Sequence, residues 1–488
     1  MRGCVVAGSH VYSSADIALR FEACVGKTLG EIDQTGLFEG KPKNKGIAGA
    51  VVEQSVLGYP ADSRREPDIE VDGISYEVKT TGVVKSKEDD GLVAKEPMSV
   101  TAVSVNTIWL EQFEDSAFWH KLEHLLLAYY LYNNGINKKV SDTREYADFP
   151  LLGWELHEWS DDDLDILRAD WERVRRFVER VHQEALDPDT EYPKLSHVLN
   201  RELMYTDTSP KWPNPPRWRL KRSTVTSLVR EYFEGGQALE KIGPKFRTYR
   251  DFEIMCRELR LEFEGQTVAD IARCVEYAGS LASKSVGEAL VVRMFGGSAH
   301  KMSGVDVFAK AGVHCKTVVF TKDGNRTEDT KLFRIDLDEI QDASVAWVDS
   351  LFFEWFGGRT LCCVFEEPSQ DAPLSENVFL GFKWLPVGEE VWEEARRVWE
   401  RMRYLVFSGE LRDVATVGHQ GVQAVNRSGV YRSAPNWPKA REGFLFVRGT
   451  GRDARDKPEC VNGIRMYRQD LWIKGSWLAS RLEDEAFL

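Results

Sequence analysis

Residues 65–82 read REPDIEVDGISYEVKTTG. The dipeptide Asp72-Gly73 is a strong signal for a two-residue hairpin turn, whose central positions need positive φ. That turn sets the register: Val71 pairs with Ile74, Glu70 with Ser75, Ile69 with Tyr76, and Asp68 falls opposite Glu77. Side chains alternate along a strand, so Ile69, Val71, Ile74 and Tyr76 form one face, suited to a core. Asp68, Glu77 and Lys79 form the other. Facing residues stand about 5 Å apart at Cβ, where like charges repel. A cation between the two carboxylates removes that repulsion. Two acids beside a lysine make a hard-oxygen site suited to Mg2+, with water and phosphate oxygens completing the shell; Mn2+ is the expected substitute. The competing reading of these three residues is a solvated strand face with a surface ion pair.

The chain has 488 residues, enough for two to four domains with their own cores. A hydrophobic share of 42% and 15 tryptophans indicate a globular protein. The formal net charge of -14 excludes a uniformly basic nucleic-acid coat, though not a locally basic groove. The eight cysteines show no CxxC pair or zinc spacing, which suits reduced thiols. The first residues lack the long apolar core of a signal peptide. LLLAYYLY (125–132) is too short to span a membrane and reads as a buried strand. The expectation is a cytoplasmic protein with no membrane contact.

Four segments recur in the same order. GKTLGEI (26–32) returns as GQTVADI (265–271), and DSAFW (115–119) as DSLFF (349–353). WERVRRFV (171–178) returns as WERMRYLV (399–406), and WRLKRSTVTSLV (218–229) as LWIKGSWLASRL (471–482). Two homologous domains are expected, residues 1–235 and 251–488, joined by a Gly- and Pro-punctuated linker at 236–250. Strand-like and helix-like periods alternate in both halves, so the class is mixed α/β or α+β.

Two further residues bear on the acidic hairpin. Glu53 lies among Val51, Val52, Val56 and Leu57 in an apolar helix; such a residue commonly sits at a helix margin, but can reach the cluster if the helix packs beside the hairpin. Lys121 immediately precedes the LLLAYYLY strand. PD…EVK is the PD-(D/E)xK nuclease pattern. The fuller series, KGIAGAVVE, PDIEVDGISYEVK, FWHKLEHLLL, LRADWERV and RWRLKRSTVTSLV, resembles the MutH family. That family includes a mismatch-repair nicking endonuclease and two-domain type II restriction endonucleases that cut 5'-GATC. The resemblance covers most of residues 20–235 and, more weakly, the second half. It implies two tandem restriction-endonuclease-fold domains. It also implies a catalytic core of Asp68, Glu77 and Lys79, with Asp68 and Glu77 holding Mg2+ and with Glu53 and Lys121 in support.

Aligned on the repeat, the second half places Val291 at Glu53, Asp306 at Asp68, His314 at Glu77, Lys316 at Lys79 and Trp355 at Lys121. An imidazole is a poor substitute for a carboxylate holding Mg2+. The second domain therefore reads as a degenerate copy. By resemblance it binds a second double-stranded DNA site and regulates the first. Lys211, Arg217, Arg219, Lys221 and Arg222 make a basic stretch with interleaved tryptophans, suited to phosphates or to an interdomain surface. Arg448 and Arg452, in a Gly- and Arg-rich loop, can reach guanine edges or contact phosphates alone. The expected function is Mg2+-dependent, sequence-specific cleavage of double-stranded DNA, with two molecules cooperating on DNA or sequential nicking. The alternatives are a mismatch-repair nickase and a DNA-binding protein without catalysis. Position 219 is Arg where the methyl-discriminating member of the family has Tyr, and 196–210 does not match the family's base-reading loop.

Overall fold

The computed structural model describes residues 10–39, 46–59, 67–87, 91–132, 142–196, 198–235, 239–243, 245–322, 328–369, 372–417, 423–425, 429 and 431–488. They divide into two compact units, one within 1–252 plus 303–312, the other within 253–302 plus 313–488. The division thus falls close to the expected linker, except that 303–312 joins the first unit.

The first unit is built on a sheet ordered Val11–Tyr12, Ile69–Val71, Ile74–Lys85, His124–Leu131, Leu151–Glu158, with Leu92–Ala94 also paired to Ile74–Lys85. The hairpin has the register its turn dictates, Ile69 with Tyr76, Glu70 with Ser75 and Val71 with Ile74. Asp72 and Gly73 have φ of 51° and 86°, the left-handed pair that the tight turn requires. Ile69, Val71 and Tyr76 are buried as expected, but Ile74 is 40% exposed. It abuts the turn, at the rim of the face the other three fill.

Ile74–Lys85 runs parallel to His124–Leu131, with Glu77 beside Leu125 and Lys79 beside Leu127. Leu125 to Tyr130 are all buried. A strand covered on both faces needs a continuous apolar run rather than alternation, which explains LLLAYYLY. One face packs on helix Ser14–Glu22 and helix Ile47–Val51, the latter continuing as a π-helical turn, Val52–Leu57. There Ile17, Phe21, Val51, Val52 and Val56 meet Tyr76, Val78, Leu126 and Ala128. On the other face Tyr129 packs against Tyr232 and Phe233 of helix Arg222–Glu234. Gly153 permits that approach, since a Cβ there would lie 2.5 Å from the Tyr232 hydroxyl.

The repeated segments adopt matching elements. Thr28 and Thr267 each close a capping box at a helix start. Ser116 and Ser350 each cap a short helix that leads into the central strand. WERVRRFV lies in Asp161–Gln183 and WERMRYLV in Glu389–Phe407. The second unit's main sheet, Val313–Phe320, Arg359–Glu366, Val378–Trp384, keeps the parallel-then-antiparallel order of Ile74–Lys85, His124–Leu131, Leu151–Glu158.

The acidic hairpin is not repeated. Asp306–Ala311 is a helix, ended by Gly312 at φ 66°. The segment DVFAKAG has no tight-turn dipeptide, and its two alanines, lysine and terminal glycine favour a capped helix. Asp306 therefore does not face His314 across a hairpin, and the expected equivalence with Asp68 fails. No helix among the described residues is long and apolar enough to cross a membrane. No disulfide joins the cysteines among them.

Candidate functional site

The acids and lysines of the hairpin converge with Lys121 through the register just described. The side-chain Oδ2 of Asp68 accepts the Val78 N–H at 2.9 Å, so the carboxylate takes over the ladder where strand pairing stops. Glu77 is only 3% exposed. Its Oε1 receives Lys79 Nζ at 2.6 Å and Lys121 Nζ at 3.0 Å, and its Oε2 receives Lys121 Nζ at 2.8 Å. Lys121 arrives because Leu125 is the parallel partner of Glu77 and Lys121 lies just upstream, at the end of helix Ala117–His120.

Burial pushes the Asp68 carboxyl above its usual range and the Glu77 charge adds to this; the Val78 N–H, Lys79 and Lys121 act the other way. Two lysines balance Glu77, whereas Asp68 is a half-buried acid beside another acid. That is the condition a divalent cation relieves, so Asp68 and Glu77 fit one. Among the described residues no group of three or more His, Cys, Asp or Glu gathers to hold a metal. A two-carboxylate set that leaves the remaining positions to water and phosphate suits Mg2+.

Glu53 lies in the π-helical turn, a feature often found at functional sites. A Cβ built on Gly49 would stand 3.9 Å from Glu53 Oε1 and 3.6 Å from Thr80 Oγ1. Its side chain is thus near the residue that follows Lys79.

The residues proposed to touch DNA are mostly engaged within the protein. Arg219 makes a two-pronged pair with Asp207, Nε to Oδ1 at 2.7 Å and Nη2 to Oδ2 at 3.0 Å. Arg217 donates to Ser99 Oγ, Arg222 to the Ala94 carbonyl and Lys221 to the Leu203 carbonyl. Lys211 is exposed in the turn between Thr206–Thr208 and Arg217–Leu220. In the second unit Arg448 pairs with Asp329 and lies over Trp472, while Arg452 is 90% exposed.

Sequence reasoning missed the carboxylate that organises segment 204–206. Asp170 is buried and accepts the N–H groups of Met204, Tyr205 and Thr206 at 2.7, 2.9 and 2.9 Å. The signal was present, since Asp170 occupies the apolar stripe with Ile166, Leu167, Trp171 and Val174.

In the second unit the positions of Glu77 and Lys121 touch again, but as rings: His314 stacks on Trp355 at 5.2 Å and 18°. Val291 is fully buried, and Lys316 Nζ donates to the Leu332 carbonyl at 2.7 Å. Removal from water, helped by the Lys316 charge, pushes the His314 imidazole down to about 3. The unfolded chain, with a histidine near about 6.5, binds the proton first. The stability owed to a neutral His314 is therefore complete above about pH 6.5 and is lost as pH falls toward 3. His314→Phe is expected to flatten the acid side of the stability profile, read from urea midpoints between about pH 7 and about pH 4. An unchanged slope would contradict this.

Residues 57–170 match the family described as DNA mismatch repair enzyme MutH, a span holding Asp68, Glu77, Lys79 and Lys121. The chain is also similar to the type II restriction enzyme Sau3AI of Staphylococcus aureus, with 26% identity over 231 residues. That match covers 46% of this chain and 44% of that enzyme, less than half the length of either. Both are likenesses of part of the chain, one to MutH over residues 57–170 and one to a type II restriction enzyme over 231 residues.

Proposed function

We propose that this protein is a Mg2+-dependent type II restriction endonuclease that hydrolyses double-stranded DNA, acting in the cytoplasm. In this reading the first unit cuts and the second binds another DNA site as effector. The observation that carries it is the joining of Asp68, Glu77, Lys79 and Lys121 inside the MutH-matching span. Asp68 and Glu77 would hold the ion. When bound, Mg2+ lowers the pKa of a coordinated water and neutralises charge on the scissile phosphate. Lys79 and Lys121, now on Glu77, supply the positive charge that attracts a phosphate and offsets charge developing on its oxygens. The His314–Trp355 stack and Val291 supply no carboxylate, which supports a binding role for the second unit.

Incubation of plasmid DNA with Mg2+ tests the activity, with 5'-GATC the first sequence to examine among the cut ends. Plasmids carrying two sites are expected to be linearised faster than those carrying one. Equal rates would remove the effector role while leaving the nuclease. Nicked circles that never become linear would favour the mismatch-repair nickase.

A further inference from the structure

The segment that starts the described chain binds both carboxylate-bearing elements of the site. Val11–Tyr12 adds as a parallel strand to Ile69–Val71, with the Glu70 N–H donating to the His10 carbonyl at 2.7 Å. His10 Nδ1 lies 2.7 Å from the backbone oxygen of Asp68. A carbonyl can only accept, so Nδ1 carries the proton and donates. The His10 ring also lies 4.5 Å from that of Tyr59, next to the π-helical turn. From the same segment, the Tyr12 hydroxyl donates to the Leu57 carbonyl at 2.9 Å, and Arg20 Nη1 donates to the carbonyls of Val56 and Leu57 at 3.0 and 3.3 Å.

Asp68 is the point where this matters. It lies just outside the paired register of the hairpin, whose last pair is Ile69 with Tyr76. Two bonds hold it from opposite ends: Val78 N–H on the carboxylate and His10 on the carbonyl. A single residue beyond the ladder has two soft backbone dihedrals, and a carboxylate that must meet Glu77 across one ion tolerates little rotation. We propose that His10 is a positioning residue for the cation site, acting through the Asp68 backbone. This rests on the metal-dependent reading given above. Groups that orient a metal ligand without touching the ion commonly contribute ten- to a hundredfold in affinity, on the order of what is expected here.

The test is calorimetric titration of Ca2+, which occupies such sites without requiring turnover, into the full chain and its variants. His10→Ala is expected to bind Ca2+ about tenfold or more weakly. His10→Asn, whose side-chain amide can replace the Nδ1 donor, is expected to recover most of that loss. Tyr12→Phe removes a bond of the same segment without touching Asp68 and should bind as the parent does. Unchanged Ca2+ affinity in His10→Ala overturns the proposal. So does an equal loss in Tyr12→Phe, or no recovery in His10→Asn, either of which would make His10 a general structural residue. If the parent chain and Asp68→Ala both fail to bind Ca2+, the metal-dependent reading falls first and the inference with it, an outcome distinct from the others. Should His10→Ala not fold, the Asn and Phe variants alone carry the comparison.

Discussion

Glu77→Gln is expected to cut DNA at least about a thousandfold more slowly than the parent, since an ion-stabilised transition state is worth several kcal/mol. The substitution keeps size and polarity but removes the charge on which two ammonium groups and the proposed ion depend. Lys79 and Lys121, at 2.6 and 2.8 Å, would then face an amide whose nitrogen cannot accept from them. DNA binding should move the other way. Removing an acid from the place proposed to receive phosphate lessens repulsion, so affinity measured without divalent ions should be equal or tighter. Cleavage within about threefold of the parent would show that Glu77 does not hold the ion. Loss of binding along with cleavage would instead indicate a damaged fold.

Lys310→Met should have the largest effect on stability of any single change considered, about 3–5 kcal/mol. Lys310 is 2% exposed; its ammonium donates to Asp163 Oδ1 and Oδ2 at 2.9 and 3.0 Å and to Asp306 Oδ2 at 3.1 Å. All three residues belong to the first unit. The lysine backbone is held as well, its carbonyl accepting from the hydroxyls of Ser223 and Thr224. Methionine fills similar volume but leaves two carboxylates facing each other out of water, each of which must protonate or reorganise. Breaking a buried pair from one side costs far more than the pair contributes net. Urea denaturation measures the loss. Adding Asp163→Asn to Lys310→Met should recover part of it, because one stranded charge is gone; a double variant no more stable than the single one would argue against this account. Cleavage at a temperature where the variant is folded should change much less than stability.

The two cases differ in how far the sequence reaches. The pairing of Ile69 with Tyr76, which brings Asp68 to the end of the ladder beside Glu77, follows from a two-residue turn whose dipeptide sets the register of the hairpin. Lys121 was found by motif order and is placed by the parallel register of the next strand. Counting along a repeat reaches less far. Asp306 was aligned with Asp68 by counting along the repeat, but DVFAKAG folds as a helix and carries it elsewhere. The basic stretch 211–222 suits phosphates or an interdomain surface by its charge alone. Yet Arg219 finds Asp207 on the neighbouring strand, and Lys221 and Arg222 find backbone carbonyls. A charge run gives composition but not its partners. Asp163 and Asp170 lie on the buried stripe of Asp161–Gln183, so the need for partners was legible. Which groups would answer was not.

By itself the sequence determined what short-range stereochemistry controls: the Asp72-Gly73 turn, the hairpin faces, the buried central strand and the order of the repeated elements. Only the tertiary structure decided which distant groups meet: Lys121 on Glu77, Lys310 on Asp163, His10 on the Asp68 carbonyl, and a ring stack in place of an ion pair in the second unit. Local dihedral preferences act over a few residues and leave a pattern in the chain. Pairing across more than forty residues is set by how whole elements pack, which motif order can suggest but local stereochemistry does not fix.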